Sequence, residues 1–123
     1  MAKAAKSSEV TTQDKVSQYN AIMPLLEAMF RDFQDLSKKK PDSALNKSKV
    51  KIANRLLTDV LAILDGEPNR GYLDLFDEDD LPQYSDVVLM LGQAVAAMEQ
   101  FKNRYHGRSE YSYGWAIERT SQK

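Results

Sequence analysis

The sequence predicts an all-α protein, a small three-helix bundle. Three segments carry apolar residues at steps of three and four, which is the period of a helix with one buried face. Proline, glycine and polar residues lie between these segments, where they mark turns. The 123-residue chain is 42% hydrophobic and 28% charged, which is typical of a single globular domain.

The first helical period begins at Thr12, after a small and polar segment, residues 1–11, that we predict to be mobile. Pro24 interrupts the period, because proline removes one backbone hydrogen bond of a helix. The apolar stripe keeps its phase across Pro24, which favours one helix kinked at this residue. A break, with Pro24 opening a new helix, is the alternative. The stripe comprises Val16, Tyr19, Ile22, Met23, Leu26, Met29, Phe30, Phe33 and Leu36.

The second helix is predicted from about Ser43 to Asp65. Asp42 and Ser43 are its candidate N-caps, because their side chains accept hydrogen bonds from the first backbone amides. Gly66 follows the helix and is typical of a left-handed C-terminal residue. One half of the helical wheel is polar and carries Lys47, Lys51, Asn54, Arg55 and Thr58. The other half is apolar and carries Val50, Ile52, Ala53, Leu56, Leu57, Val60, Leu61, Ile63 and Leu64.

The third helix is predicted from about Pro82 to Tyr105, and Gly107 is expected to stop it. Asp80 or Ser85 is the candidate N-cap. These three helices define a helical domain, residues 12–107.

The third helix is apolar on nearly all sides, which indicates a central position or contact with a second chain. Gly92 and Ala96, four residues apart, would let another helix approach closely. Because three helices cover one another incompletely, we predict a homodimer or larger assembly that forms through the first and third helices.

The remaining residues, 108–123, form a C-terminal arm in which Tyr111, Tyr113, Trp115 and Ile117 alternate with other residues. Alternation is a strand signal, but no partner strand is evident. We therefore predict an extended aromatic arm that packs over the bundle or over a neighbouring subunit.

An acidic run, DLFDEDDLPQYSD, holds six carboxylates within residues 74–86. A calcium-binding EF-hand loop needs a glycine where Pro82 stands, and a di-iron bundle needs a Glu-x-x-His pair, whereas Asn103 stands three residues before the only histidine, His106. Neither template fits, and we predict no metal and no cofactor. A solvated loop or a docking surface for a basic partner remain as the two interpretations.

Catalysis is not favoured by the sequence. The chain has no cysteine, no nucleophile elbow and no phosphate-binding glycine loop. His106, near Arg104 and Arg108, suits the negative end of the third helix. A general base at His106 is the alternative, and a novel enzyme is the third-ranked hypothesis.

Charge is segregated along the chain, although the net charge is −1. Residues 38–55 hold seven basic residues and one acid, whereas residues 59–86 hold nine acids and one arginine. Our first hypothesis is therefore a non-catalytic helical binding protein, such as an adapter, a complex subunit or an antitoxin-, immunity- or inhibitor-like protein. Its predicted acidic contacts are Asp74, Asp77, Glu78, Asp79 and Asp80.

The alternative hypothesis is a nucleic-acid-binding protein. Lys47, Lys51 and Arg55 are spaced by four and would line one helix face toward phosphates, although the pI of 5.8 is low for this class. Aromatic residues of the arm would stack on bases. The predicted contacts in the arm, for either kind of partner, are Arg108, Tyr111, Tyr113 and Trp115.

The predicted location is the cytoplasm. The N-terminal residues lack the apolar segment of a secretory signal, and no run approaches the length of a membrane span. The absence of cysteine suits a reducing compartment.

Overall fold

The computed structural model describes residues 9–108 and 113–118 and confirms the all-α three-helix bundle. Its helices are α1 (Gln13–Lys39), α2 (Lys47–Ile63) and α3 (Tyr84–Tyr105), followed by strands β1 (His106–Arg108) and β2 (Tyr113–Trp115). The connector between α2 and α3, residues 64–83, contains one 3₁₀ turn, Arg70–Tyr72. Helix α1 packs against both other helices and most extensively against α3.

Helix α1 is continuous through Pro24, so the predicted alternative of a break there is wrong. The Thr12 hydroxyl caps the helix by accepting a hydrogen bond from the backbone N–H of Lys15 at 3.2 Å. Pro24 lies on the exposed side, where water can satisfy the carbonyl that the proline leaves unpaired. The apolar stripe faces the core on both sides of it, since Met23 and Leu26 are both buried.

Helices α2 and α3 begin later than predicted, because the segments that precede them pair with each other. Residues 41–45 lie beside residues 82–85, and Leu45 N donates to the carbonyl of Pro82 at 2.9 Å. This long-range pairing holds both segments in non-helical conformations. The pairing also buries the Leu45 side chain completely at the end of the bundle.

The predicted N-caps of these two helices are wrong for the same reason. Asn46 caps α2, and its side-chain oxygen accepts from Lys49 N at 2.8 Å. Gln83 is the N-cap of α3, and its backbone N–H donates to the Asp86 carboxylate at 3.1 Å. The candidates that they replace are Asp42, Ser43, Asp80 and Ser85.

The core lies between the three helices and includes an aromatic cluster near the C-terminal end of α3. The members of this cluster are Tyr19, Phe101, Tyr105 and Trp115. Gly66 adopts the left-handed conformation expected of it, with φ of 86°. Ile52 was predicted on the apolar half of α2 but is 56% exposed. The largest fully buried side chains are Leu26, Leu45, Val50, Leu57, Val60, Ile63, Leu64, Val87, Leu91, Met98 and Phe101.

The C-terminal arm has a strand partner, contrary to the sequence prediction. Strand β1 continues directly from α3 and pairs antiparallel with β2, with His106 opposite Trp115. Gly107 is therefore part of a strand, and α3 ends two residues before it. Thr11 is buried and forms a parallel bridge with Ile117, so residues at the two ends of the described chain are neighbours.

None of the helices in the described part of the chain is both long and apolar enough to cross a membrane.

Candidate interaction surface

The connector is fixed to both helices that it joins. On one side, the Arg70 guanidinium donates to the carbonyl of Leu61 in α2 at 2.9 Å. On the other side, the Asn69 amide donates to the side-chain oxygen of Gln100 in α3 at 3.2 Å. The connector thus lies between α2 and α3, which have the smallest direct contact of the three helix pairs.

A single asparagine of α2 holds the acidic part of the connector. The Asn54 side-chain oxygen accepts from Phe76 N at 2.8 Å, and its amide donates to Phe76 O at 2.9 Å. One side chain therefore satisfies both backbone groups of Phe76, as a neighbouring strand would. From the sequence, Asn54 looks like an ordinary polar residue of the outer face, and its partner lies 22 positions away.

The acidic strap, which we define as residues 74–80, lies beside the basic face of α2. Lys47 Nζ is 3.9 Å from Asp79 Oδ1, and Lys51 Nζ is 3.9 Å from Glu78 Oε1. The sequence separates these two charged groups, but the fold brings them together. Both pairs are long and exposed, so each contributes at most about 1 kcal/mol to stability.

Three carboxylates of the strap remain available to another molecule. Asp74, Asp77 and Asp80 are exposed, and none forms an ion pair with another described residue. The Asp77 carboxylate accepts a hydrogen bond from Asp79 N at 2.8 Å, which fixes the local turn. Leu75 is 48% exposed beside these acids, so the strap presents an apolar side chain among negative charges.

The predicted phosphate contacts are not equivalent in the fold. Lys47 and Lys51 each have a carboxylate of the strap as a neighbour. Arg55 is exposed and forms no ion pair with another described residue. A phosphate group at this face would therefore approach two lysines and two carboxylates together, which weakens the attraction.

The predicted arm residues are distributed differently. Trp115 packs into the aromatic cluster, with its ring centroid 5.2 Å from that of Tyr19 and 5.8 Å from that of Phe101. The backbones of Arg108 and Tyr113 face each other across the strand pair. Tyr111 lies outside the described residues. Trp115 thus joins the arm to α1 and α3.

His106 caps the end of α3 and is the first residue of β1. Its ring meets that of Trp115 edge-on, with 5.1 Å between the centroids. Across residues 9–108 and 113–118, no three histidine, aspartate or glutamate side chains converge as a metal site.

A buried carboxylate that the sequence did not reveal joins the connector to α3. The Glu67 side chain is only 8% exposed. Arg104 Nη1 donates to it at 2.9 Å and Tyr105 Oη donates to it at 2.8 Å. Arg104 also contacts Glu9 at 3.4 Å. No local spacing predicts this cluster, because its members come from three separate parts of the chain.

The cluster changes the acidity of Tyr105. Burial, followed by the hydrogen bond to Glu67, raises the pKa of the Tyr105 phenol from 10.0 to about 12. The phenol therefore keeps its proton in the folded protein at pH values where it would lose it in the unfolded chain.

We expect the Tyr105 contribution to stability to be full below pH 10 and to be lost as the pH rises from 10 to 12. Urea unfolding across this range should show a steeper fall of the free energy of unfolding in the wild type than in Tyr105→Phe. Tyr72→Phe, at a tyrosine that is 76% exposed, is the matched control and should follow the wild type. If the free energy of unfolding fell equally with pH in the wild type and in Tyr105→Phe, the raised pKa of Tyr105 would be contradicted.

No protein family, curated protein or solved structure matches this chain.

Proposed function

We propose that the chain is a small non-catalytic helical protein that binds a basic surface of another protein through the acidic strap. The observation that carries this proposal is that the backbone of the strap is hydrogen-bonded to α2 while most of its carboxylates are exposed. The Asn54–Phe76 bonds fix its backbone, and Asp74, Asp77 and Asp80 remain without ion-pair partners among the described residues.

Fixed geometry favours binding, because a loop that is already ordered loses less entropy when a partner docks. Exposed carboxylates attract a basic partner over several ångströms and raise the association rate, and salt weakens this attraction. Leu75 supplies an apolar contact within the same surface. An adapter, a complex subunit or an inhibitor-like protein would use such a surface.

The geometry favours a protein partner over a nucleic acid. The two lysines that would contact phosphates lie next to Glu78 and Asp79. The Trp115 ring, proposed to stack on bases, is already packed against Tyr19 and Phe101. The first feature weakens the attraction for phosphates and the second leaves less of the ring for stacking on bases, so both reduce the affinity expected for a nucleic acid.

The test is capture of partners from the native host with wild-type protein and two charge-reversal variants. Asp74→Lys combined with Asp80→Lys reverses unpaired charges of the strap, whereas Asp32→Lys reverses an exposed acid of α1 as the matched control. We expect one protein to be captured by the wild type and by the control. The strap variant should bind it at least about tenfold more weakly.

Binding of the purified partner should also weaken as salt is raised. Capture that disappears after nuclease treatment, or that Lys47→Glu with Lys51→Glu abolishes while the strap variant retains it, would contradict the proposal in favour of a nucleic acid. A partner bound equally by all variants would also contradict it.

We propose a cytoplasmic location, because a chain without cysteine needs no oxidising compartment. Cell fractionation checks this location, and recovery outside the cytoplasm would overturn it.

A further inference from the structure

Besides its buried face, helix α3 has a row of residues that runs along the side turned away from the core. Its members recur at steps of four, three, four and three, which is the spacing of the contact row of a coiled coil. All of them are exposed, and the first is 65% exposed. This outer row of α3 comprises Leu89, Gln93, Ala96, Gln100 and Asn103.

The outer row carries no charged residue. Helix faces turned to water normally carry charged side chains, yet residues 87–98, which include the first three members of the row, contain none. Charged residues lie beside the last two members, at Glu99, Lys102 and Arg104. A charged partner would lose hydration on this face without gaining a counter-charge. The outer row therefore fits a partner face that is also uncharged.

The chemistry of the outer row is self-complementary. Gln93, Gln100 and Asn103 end in carboxamides, which both donate and accept hydrogen bonds. The Gln100 oxygen already accepts from Asn69, so its amide N–H groups are what it offers to a second copy. A carboxamide can therefore pair with an identical group across a twofold axis, whereas identical charges would repel each other. Ala96, at the middle of the row, is small enough for two helices to approach closely there.

Gly92 lets another helix approach closely, as predicted, but that helix is α1 of the same chain. A Cβ atom at Gly92 would lie 3.3 Å from the ring of Phe30 in α1. Gly92 therefore accommodates a contact within the subunit, and only Ala96 of the pair lies on the outer row.

A groove borders the outer row and would receive side chains of a facing helix. It has a volume of about 390 Å³ and lies between the connector and α3. Its rim includes Tyr72, which is 76% exposed, and its lining is uncharged. Exposed aromatic residues of this kind are enriched where proteins meet.

We propose that a second copy of this chain packs against the outer row of α3, so that the two copies form a homodimer with α3 against α3. The row is about 21 Å long, from the helical rise over Leu89 to Asn103. A helix face of this length and about 10 Å wide covers roughly 200 Å². A standard stable interface is larger and buries about 800 Å² per partner. The dimer is therefore weak and reversible.

The test is sedimentation equilibrium of the full chain over a wide concentration range. Wild type should change from monomer to dimer as concentration rises. Ala96→Glu should weaken association at least about tenfold, since the two copies would bring like charges together at the centre of the interface. Leu25→Glu, at a residue of α1 that is 58% exposed, is the matched control and should leave association unchanged.

A second measurement uses the absence of native cysteine. Under mild oxidation, Ala96→Cys should form a disulfide-linked dimer much faster than Leu25→Cys. Circular dichroism checks that each variant folds. A wild type that stays monomeric at all concentrations, or equal cross-linking of the two cysteine variants, would overturn the proposal.

The two proposals fail independently. The uncharged outer row predicts an association that salt does not weaken, whereas salt should weaken binding at the strap. The strap variant with Asp74→Lys and Asp80→Lys should dimerise like the wild type, and dimerisation lost in that variant would overturn the assignment to α3.

Discussion

Replacing Phe101 by alanine is expected to lower the free energy of unfolding by about 3–5 kcal/mol, the largest effect of any change considered. The Phe101 side chain is 1% exposed. Its ring lies 5.8 Å from that of Tyr19, 5.8 Å from that of Trp115 and 5.1 Å from that of Tyr105. The substitution would leave a cavity where α1, α3 and the strand pair meet.

Denaturant unfolding followed by Trp115 fluorescence measures this effect directly, because Trp115 is the only tryptophan and lines the same cluster. Leu25→Ala removes an exposed apolar side chain of α1 and should change stability by no more than about 0.5 kcal/mol. Since a domain of this kind is stabilised by only about 5–15 kcal/mol, Phe101→Ala removes a large share of that margin. If Phe101→Ala and Leu25→Ala lowered the free energy of unfolding by the same amount, the aromatic cluster would not be a major source of stability.

Replacing Asn54 by leucine is expected to cost about 1–3 kcal/mol and to free the acidic strap from α2. Leucine has a similar size but cannot pair with Phe76, so it leaves the N–H and the C=O of Phe76 without their partner. Hydrogen exchange should be faster across residues 74–80, and most of all at the amide of Phe76. Partner binding should weaken although every carboxylate of the strap is retained.

Asn20→Leu, at an exposed asparagine of α1, is the matched control for this substitution. It should change neither hydrogen exchange in the strap nor partner binding. Unchanged exchange at Phe76 in Asn54→Leu would show that other contacts hold the strap in place.

The sequence was sufficient to predict the three helices, because each one has a single face that must be buried. The period of three and four residues placed Leu26, Leu57 and Leu91 in the core, where the structure has them. Helix starts were predicted less well, since the pairing of residues 41–45 with residues 82–85 joins segments that are remote in sequence.

The candidate surface was predictable in composition but not in arrangement. The acidic and basic residues are plain in the sequence, and the exposure of Asp74 and Asp80 follows from their type. Their position beside α2 depends on the bonds between Asn54 and Phe76, which no local pattern indicates. The sequence did not predict a strand partner for Trp115, because β1 begins directly after the last residue of α3 and no turn residue separates them.

The backbone N–H of Thr11 donates a hydrogen bond to Ala116 O at 2.9 Å, and its carbonyl accepts one from Glu118 N at 2.7 Å. Residues 11 and 118 are therefore neighbours, so the described part of the chain begins and ends on the same side of the bundle. The domain could interrupt a loop of a larger protein and hardly separate the two sides of that loop. Probes attached at the exposed residues Val10 and Glu118 would likewise lie close together, and their separation would report the release of Thr11 from the hairpin.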